Sequence, residues 1–149
     1  MIITSSSSEE TEIIGEKLGK KLTGNEIICF YGDLGVGKTT FIRGLARNIN
    51  CEDLVSSPTF TILHEYNNKN NNKFKIFHFD MYRVTSFDDL ESTGFFDFIN
   101  TGVILIEWAE NIEHELNNLK NIIKINIQKK VGQNFENTRI IEIQGVDNL

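Results

Sequence analysis

The sequence contains few cysteines, the residues that cross-link small folds. Its 149 residues include 2 Cys, and also only 1 Pro and 1 Trp. Cys29 and Cys51 form no Cys-x-x-Cys pair and have no neighbouring His pair, which argues against a sulfur-held metal site or a disulfide framework. A chain of this length buries roughly 70% of its extended surface on folding, so it needs neither to hold a core. The sequence therefore predicts one globular domain over residues 1–149.

Long apolar runs and excess positive charge are also missing. No apolar stretch approaches the roughly 20 residues that a membrane span requires, and the first ten residues are serine-rich and acidic. The 15 Lys and Arg against 21 Asp and Glu leave a formal charge of −6, which repels polyanions. We therefore expect a cytoplasmic protein with no membrane contact and no autonomous binding of nucleic acid.

The hydrophobic pattern predicts an α/β fold. A helix is expected at about residues 9–21, a fully covered parallel strand at 26–31, and a second helix over the apolar positions between Phe41 and Ile49. A short helix should start after the capping pair Ser86 and Asp89. Further segments are strands at 60–66, 74–80, 103–107, 121–128 and 138–144, and a helix at 109–116. This order predicts a single domain with a mixed, mostly parallel sheet flanked by helices.

One motif carries recognisable chemistry. Gly32-Asp-Leu-Gly-Val-Gly-Lys-Thr39 matches the phosphate-binding loop (P-loop, Walker A) pattern G-x-x-x-x-G-K-S/T at every fixed position. It also lies where such a loop must lie, between a predicted buried strand and a predicted helix. The sequence therefore predicts the fold class of a P-loop NTPase.

The residue types in this loop suit a bound polyphosphate. Gly35 and Gly37 lack a Cβ, so the backbone can turn successive N–H groups toward phosphate oxygens. The Lys38 ammonium can reach the β and γ phosphates, and the Thr39 hydroxyl can ligate Mg²⁺. The residues expected around the phosphates are Asp33, Leu34, Gly35, Val36, Gly37, Lys38, Thr39 and Thr40.

A phosphate loop needs a carboxylate at the end of a neighbouring strand, to hold magnesium or its waters and to orient an attacking water. Asp80 ends the predicted strand 74–80, and Glu107 ends the predicted strand 103–107. Both are candidates, because parallel sheets collect ligands at the carboxyl ends of their strands. Ser57-Pro-Thr59 lies where nucleotide hydrolases place a switch loop, although a simple β-turn would explain it equally well.

Four motifs together resemble the TsaE (YjeE) family of bacterial ATPases. They are Gly32-Asp-Leu-Gly-Val-Gly-Lys-Thr-Thr40, Ser57-Pro-Thr-Phe60, His78-Phe-Asp-Met-Tyr-Arg83 and Ile106-Glu-Trp-Ala-Glu110. Asp88-Asp-Leu-Glu91 and Gly94 also resemble the family's pattern. The similarity spans about residues 8–110 and, more weakly, reaches Gln144.

The resemblance implies a role in making N6-threonylcarbamoyladenosine, a modified base beside the anticodon of tRNAs. Proteins of this kind are similar to a regulatory motor: they bind a complex of TsaB and TsaD and couple binding and hydrolysis of ATP, with Mg²⁺, to its turnover. The ATPase activity would be weak alone and stimulated by these partners. Contact with tRNA would be indirect.

The resemblance also implies roles for individual residues. Lys38 and Thr39 would hold the phosphates and Mg²⁺, Glu107 would be a magnesium ligand, and Asp80 would be the Walker B acid, which makes Lys38, Asp80 and Glu107 the expected catalytic residues. The other implied site residues are Thr59 as a switch residue, Trp108 beside the site, and residues 8–11 with Arg139 around the base.

Two other functions are open from the residues alone. A small-molecule kinase needs a lid with clustered arginines, and Arg43, Arg47, Arg83 and Arg139 form no obvious cluster in the sequence. A nucleotide switch without useful turnover is not separable by sequence from a slow ATPase. Spacing alone also leaves open which of Asp80 and Glu107 polarises the attacking water.

Overall fold

The computed structural model describes residues 1–47, 62–66, 74–132 and 135–149. The strands are β1 (Ile2–Ser5), β2 (Ile27–Tyr31), β3 (Leu63–Tyr66), β4 (Ile76–Asp80), β5 (Val103–Glu107), β6 (Ile122–Lys129) and β7 (Arg139–Gln144). The α-helices are α1 (Ser8–Gly19), α2 (Lys38–Arg47), α3 (Phe87–Ser92) and α4 (Glu113–Leu116), with 3₁₀ helices at Phe95–Phe98 and Ala109–Ile112. No helix in the described ranges is long and apolar enough to cross a membrane.

The strands form one mixed sheet in the order β1-β7-β6-β2-β5-β4-β3. The four central strands β6, β2, β5 and β4 pair in parallel. The outer pairs β1–β7, β6–β7 and β3–β4 are antiparallel. The prediction of an α/β fold with a mixed, mostly parallel sheet flanked by helices is therefore confirmed.

Strand β2 is apolar on both sides because helices cover both faces of the sheet. Its residues Ile28 and Phe30 pack into one core with the apolar face of α1 and α2. Ile27 and Cys29 pack into a second core with α3, α4 and the two 3₁₀ helices. Burial raises the pKa of the Cys29 thiol to about 12, so the thiol stays protonated at neutral pH.

The structure corrects the predicted elements at three places. Strand β1 was not predicted; it pairs with β7 and lies at one edge of the sheet. The predicted helix 109–116 is a 3₁₀ helix, Ala109–Ile112, followed by the one-turn helix α4. Helix α1 ends at Gly19 rather than near Lys21. Residues 48–61, which include the Ser57-Pro-Thr59 segment, and residues 67–73 lie outside the described residues.

Helices α1 and α2 pack with their backbones in direct contact. A Cβ on Gly44 would lie 1.9 Å from the Glu12 carbonyl oxygen, and one on Gly15 would lie 2.2 Å from the Phe41 carbonyl oxygen. The Glu12 carboxylate joins the helices further, accepting from Arg43 Nη1 at 2.9 Å and from Arg47 Nη2 at 2.5 Å. Packing against α1 thus fixes the position of α2 in the domain.

Gly44→Ala should destabilise the fold, although Ala for Gly within a helix ordinarily stabilises by about 0.5–1 kcal/mol. The added Cβ would meet backbone, which cannot move aside, and overpacking of this kind costs about 1–3 kcal/mol. The midpoint of urea unfolding should therefore fall. An unchanged or higher midpoint would show that α1 and α2 do not approach as closely as described.

Candidate functional site

The loop that joins β2 to α2 has a backbone that only glycine adopts readily. We call residues 32–37 the glycine loop. Within it, Gly35 has φ +75° and Gly37 has φ +115°. A Cβ on either residue would have no atom within 4 Å, so the loop faces open space on that side. Helix α2 begins directly afterwards, which directs its unpaired N–H groups toward the same space.

The Lys38 side chain folds back over the glycine loop. Its Nζ donates to the Gly32 carbonyl at 2.6 Å and to the Asp33 carbonyl at 3.0 Å, and the residue is only 6% exposed. The ammonium also lies 5.3 Å from the centroid of the Trp108 ring. A cation held beside a set of open backbone N–H groups is suited to an anion.

Of the cavities that border the glycine loop, two of about 380 Å³ each are lined by Gly35 and Gly37. The first, the Glu107 cavity, is lined by Leu34, Gly35, Gly37, Lys38, Thr39, Thr40, Glu107 and Trp108. The second, the Arg139 cavity, is lined by Ser7, Ser8, Glu9, Thr11, Gly35, Val36, Gly37, Thr40, Asn137 and Arg139. Gly35, Gly37 and Thr40 line both, so a ligand lying along the loop could fill the two cavities together.

The two predicted carboxylates lie at the ends of adjacent parallel strands. Asp80 of β4 and Glu107 of β5 are register partners. Glu107 is 4% exposed, whereas Asp80 is half-buried and its Oδ1 accepts from the Tyr82 backbone N–H at 2.9 Å. Burial raises the pKa of Asp80 above its ordinary value, and the nearby Glu107 carboxylate raises it further. The pair forms an acidic strand end next to the glycine loop.

Comparison with known proteins gives a consistent result. A family model described as threonylcarbamoyl adenosine biosynthesis protein TsaE matches residues 5–140. The chain belongs to the TsaE family. This is a family of tRNA threonylcarbamoyladenosine biosynthesis, and the resemblance read from the four motifs is confirmed.

Individual relatives agree with this family. The TsaE protein of Aquifex aeolicus is 40% identical over 106 residues, which are 70% of this chain and 73% of the relative. The Rickettsia felis TsaE protein is 37% identical over 123 residues, which are 82% and 69% of the two chains. The crystal structure of YdiB from Bacillus subtilis superposes with a TM-score of 0.69 at 28% identity, covering 95% of this chain and 82% of that one.

The structure brings most of the predicted TsaE site residues together. Seven of the residues predicted to bind nucleotide line the Glu107 cavity with Glu107 itself, and Val36 and Arg139 line the neighbouring one. Arg139 contacts the glycine loop directly, since its Nε donates to the Val36 carbonyl at 2.8 Å. Residues 8, 9 and 11 line the same cavity as Arg139.

Three predicted site residues stand apart from this grouping. Asp80 is on the adjacent strand and lines neither cavity, while Asp33 offers its carbonyl to Lys38 but also lines neither. Thr59, predicted as a switch residue, lies outside the described residues. Of the two carboxylates, therefore, Glu107 is the one placed with Lys38 and Thr39.

Sequence reasoning missed one residue beside this site. His78 is fully buried, and its Nε2 lies 3.0 Å from Glu107 Oε1. Its Nδ1 lies 3.1 Å from the Tyr66 hydroxyl. A polar residue among the apolar residues of a covered strand is a signal for a buried partner. The identity of that partner depends on the register of β4 against β5.

Trp108 follows Glu107 in an unusual backbone conformation. Its φ of 59° lies in the left-handed region, which turns the chain sharply at the end of β5. The ring packs against Tyr82 with centroids 4.9 Å apart and lines the Glu107 cavity. Asn111 Nδ2 donates to the Met81 carbonyl at 2.8 Å, which ties the segment after β5 to the segment after β4.

The donor set of the Glu107 cavity fits Mg²⁺ bound together with phosphate rather than a metal held by protein alone. In the described part of the chain, no group of three or more His, Cys, Asp or Glu side chains could hold a metal ion. The cavity offers one carboxylate and the hydroxyl of Thr39 beside an open glycine loop. Mg²⁺ commonly takes one or two such protein oxygens and completes its shell with phosphate and water.

Gly35→Ala and Gly37→Ala should both destabilise the domain without any steric clash. Each Cβ would enter open space, so the cost arises only from the backbone, at about 1–3 kcal/mol for a strained residue. Gly37→Ala should cost more, because φ +115° lies further from the left-handed helical minimum than φ +75°. Chemical denaturation measures both. Equal stability of the two variants and the unsubstituted chain would contradict the loop conformation.

Proposed function

We propose that this TsaE-family chain binds and hydrolyses Mg·ATP at the glycine loop and uses that cycle to drive a TsaB–TsaD complex in threonylcarbamoyladenosine synthesis. The observation that carries the proposal is that one loop, with the fixed residues of a phosphate-binding motif, lines two cavities that share Gly35, Gly37 and Thr40. The cation, hydroxyl and carboxylate line one cavity, and Arg139 lines the other.

Phosphate binding falls to the glycine loop and Lys38. The backbone N–H groups of the loop and of the first turn of α2 donate to phosphate oxygens. Lys38 exchanges its contacts with the Gly32 and Asp33 carbonyls for the more strongly accepting phosphates, over a distance that its flexible stem allows.

Thr39 and Glu107 are the side chains that hold Mg²⁺, because they line the same cavity and present oxygen ligands. When bound, the metal neutralises charge on the phosphates and on the developing transition state. Asp80 lies one strand away and acts on water at the same sheet edge. This assigns the metal to Glu107 and the orientation of the attacking water to Asp80.

The Arg139 cavity takes the nucleoside part of ATP. It shares Gly35, Gly37 and Thr40 with the Glu107 cavity, and Arg139 contacts the loop through the Val36 carbonyl. Ser8 and Thr11 supply further polar groups to the lining of this cavity. An ATP molecule with its phosphates over the loop would then extend toward α1.

In this proposal the TsaB–TsaD complex binds the tRNA. A formal charge of −6 is poorly suited to gripping RNA, so tRNA contact is assigned to TsaB–TsaD and only indirectly to this chain. We propose a cytoplasmic location, because the proposed activity acts on tRNA. The hydrolysis rate should therefore be low alone and rise when the partner complex is present.

Phosphate release from Mg·ATP tests this proposal, measured for the chain alone and then with TsaB, TsaD and tRNA. Lys38→Ala should lose activity, because removing charged phosphate contacts costs about 2–4 kcal/mol, or roughly 30- to 1,000-fold. Lys20→Ala is the matched control, since Lys20 is an exposed lysine that pairs with Glu16 on α1. It should leave the rate unchanged.

Three outcomes would contradict the proposal. Equal phosphate release by Lys38→Ala and the unsubstituted chain would place hydrolysis elsewhere. Tight ATP binding without stimulation by the partner complex would favour a nucleotide switch, and phosphate transfer to a metabolite in preference to water would favour a kinase.

A further inference from the structure

We propose that His78 is a positioning residue for the site: its Nε2–H holds the Glu107 carboxylate in the orientation that faces Thr39 and the glycine loop. This inference rests on the proposed function, because it concerns the carboxylate that is assigned to magnesium there. His78 itself lines neither cavity, so it acts through Glu107 and not on a ligand.

The strand registers create the contact. His78 of β4 pairs with Leu105 of β5, and Asp80 pairs with Glu107, so Glu107 lies diagonally across from His78 on the neighbouring strand. Because side chains alternate along a strand, His78, Leu105 and Glu107 all lie on the face that carries α1 and α2. The two polar side chains are buried on that face, with 0% of His78 and 4% of Glu107 exposed.

The hydrogen bonds that link Tyr66, His78 and Glu107 have matching donors and acceptors. An ionised carboxylate only accepts, so the His78 ring must present Nε2–H to Glu107 Oε1. A neutral imidazole then carries a lone pair on Nδ1, which accepts from the Tyr66 hydroxyl. The Tyr66 hydroxyl thereby satisfies Nδ1 in the tautomer that can hold Glu107. Outer hydrogen bonds of this kind orient the groups that bind metals.

Burying these polar groups costs free energy unless each of them has a hydrogen-bond partner. A fully buried imidazole and a nearly buried carboxylate both need partners, and every buried side-chain polar atom in the described residues has one. The hydrogen bond engages Oε1, one of the two oxygens of Glu107, so it restrains rotation of the carboxylate without using Oε2. A residue that served only to fill the core would not need a polar ring at this position.

Trp108 provides a direct readout of the site. It is the only tryptophan of the chain and lines the same cavity as Glu107. Its fluorescence can therefore follow a Mg²⁺ titration at saturating non-hydrolysable ATP analogue, with nucleotide binding in EDTA measured separately. His78→Leu removes the donor, and His78→Gln restores an N–H near the position of Nε2. His114→Leu, at an exposed position of α4, is the matched control.

His78→Leu should raise the Mg²⁺ concentration at half-response by roughly 10- to 100-fold, the loss typical of removing a supporting hydrogen bond at a metal site. Nucleotide affinity in EDTA should not change, His78→Gln should recover most of the loss, and His114→Leu should behave like the unsubstituted chain. Tyr66→Phe should shift the midpoint in the same direction by a smaller factor, and it tests the inference even if His78→Leu does not fold.

The outcomes separate this inference from the proposed function. If the unsubstituted chain responds to Mg²⁺ and folded His78→Leu or Tyr66→Phe has the same midpoint, His78 does not position Glu107. The same conclusion follows if His78→Gln is as impaired as His78→Leu. If the unsubstituted chain shows no Mg²⁺-dependent response, the proposed function is overturned and this inference with it.

Discussion

The parallel pairing of β2 with β5 is the constraint on which the site depends. Phe30 near the end of β2 is the register partner of Glu107 at the end of β5, so the chain that leaves β2 as the glycine loop passes beside that carboxylate. Because both strands run in the same direction, their carboxyl ends meet at one edge of the sheet. The packing of α1 against α2 then fixes where the loop ends. The two helices approach so closely that only glycine fits at positions 15 and 44.

The charged side chains of the site have hydrogen-bond partners within the protein. Lys38 is held by two carbonyls of the glycine loop, and Glu107 is held by His78. Both charges are nearly buried, and an unpaired buried charge would be strongly destabilising. The cation and the carboxylate each have neutral partners, and both line one cavity. A polyphosphate with a divalent cation is complementary to that pair of charges.

Much of this arrangement could be predicted from the sequence because its signals are local. The fixed residues of the glycine loop, the covered strand before it and the apolar helix after it lie within residues 26–47, and Asp80 and Glu107 each end an apolar run. The strand β1 could not be predicted, because its four residues gain their structure from pairing with β7 at the other end of the chain. The contact of His78 with Glu107 depends on strand register, and the left-handed turn at Trp108 depends on the packing around it.

Calorimetric titration of the purified chain with nucleotide measures whether the glycine loop and Lys38 bind the phosphates. With Mg²⁺ present, the account predicts one saturable site per chain for ATP. ADP should compete for this site and adenosine should not, because the loop and Lys38 bind phosphate. The account would be contradicted by the absence of saturable binding at millimolar nucleotide, or by adenosine binding as well as ATP.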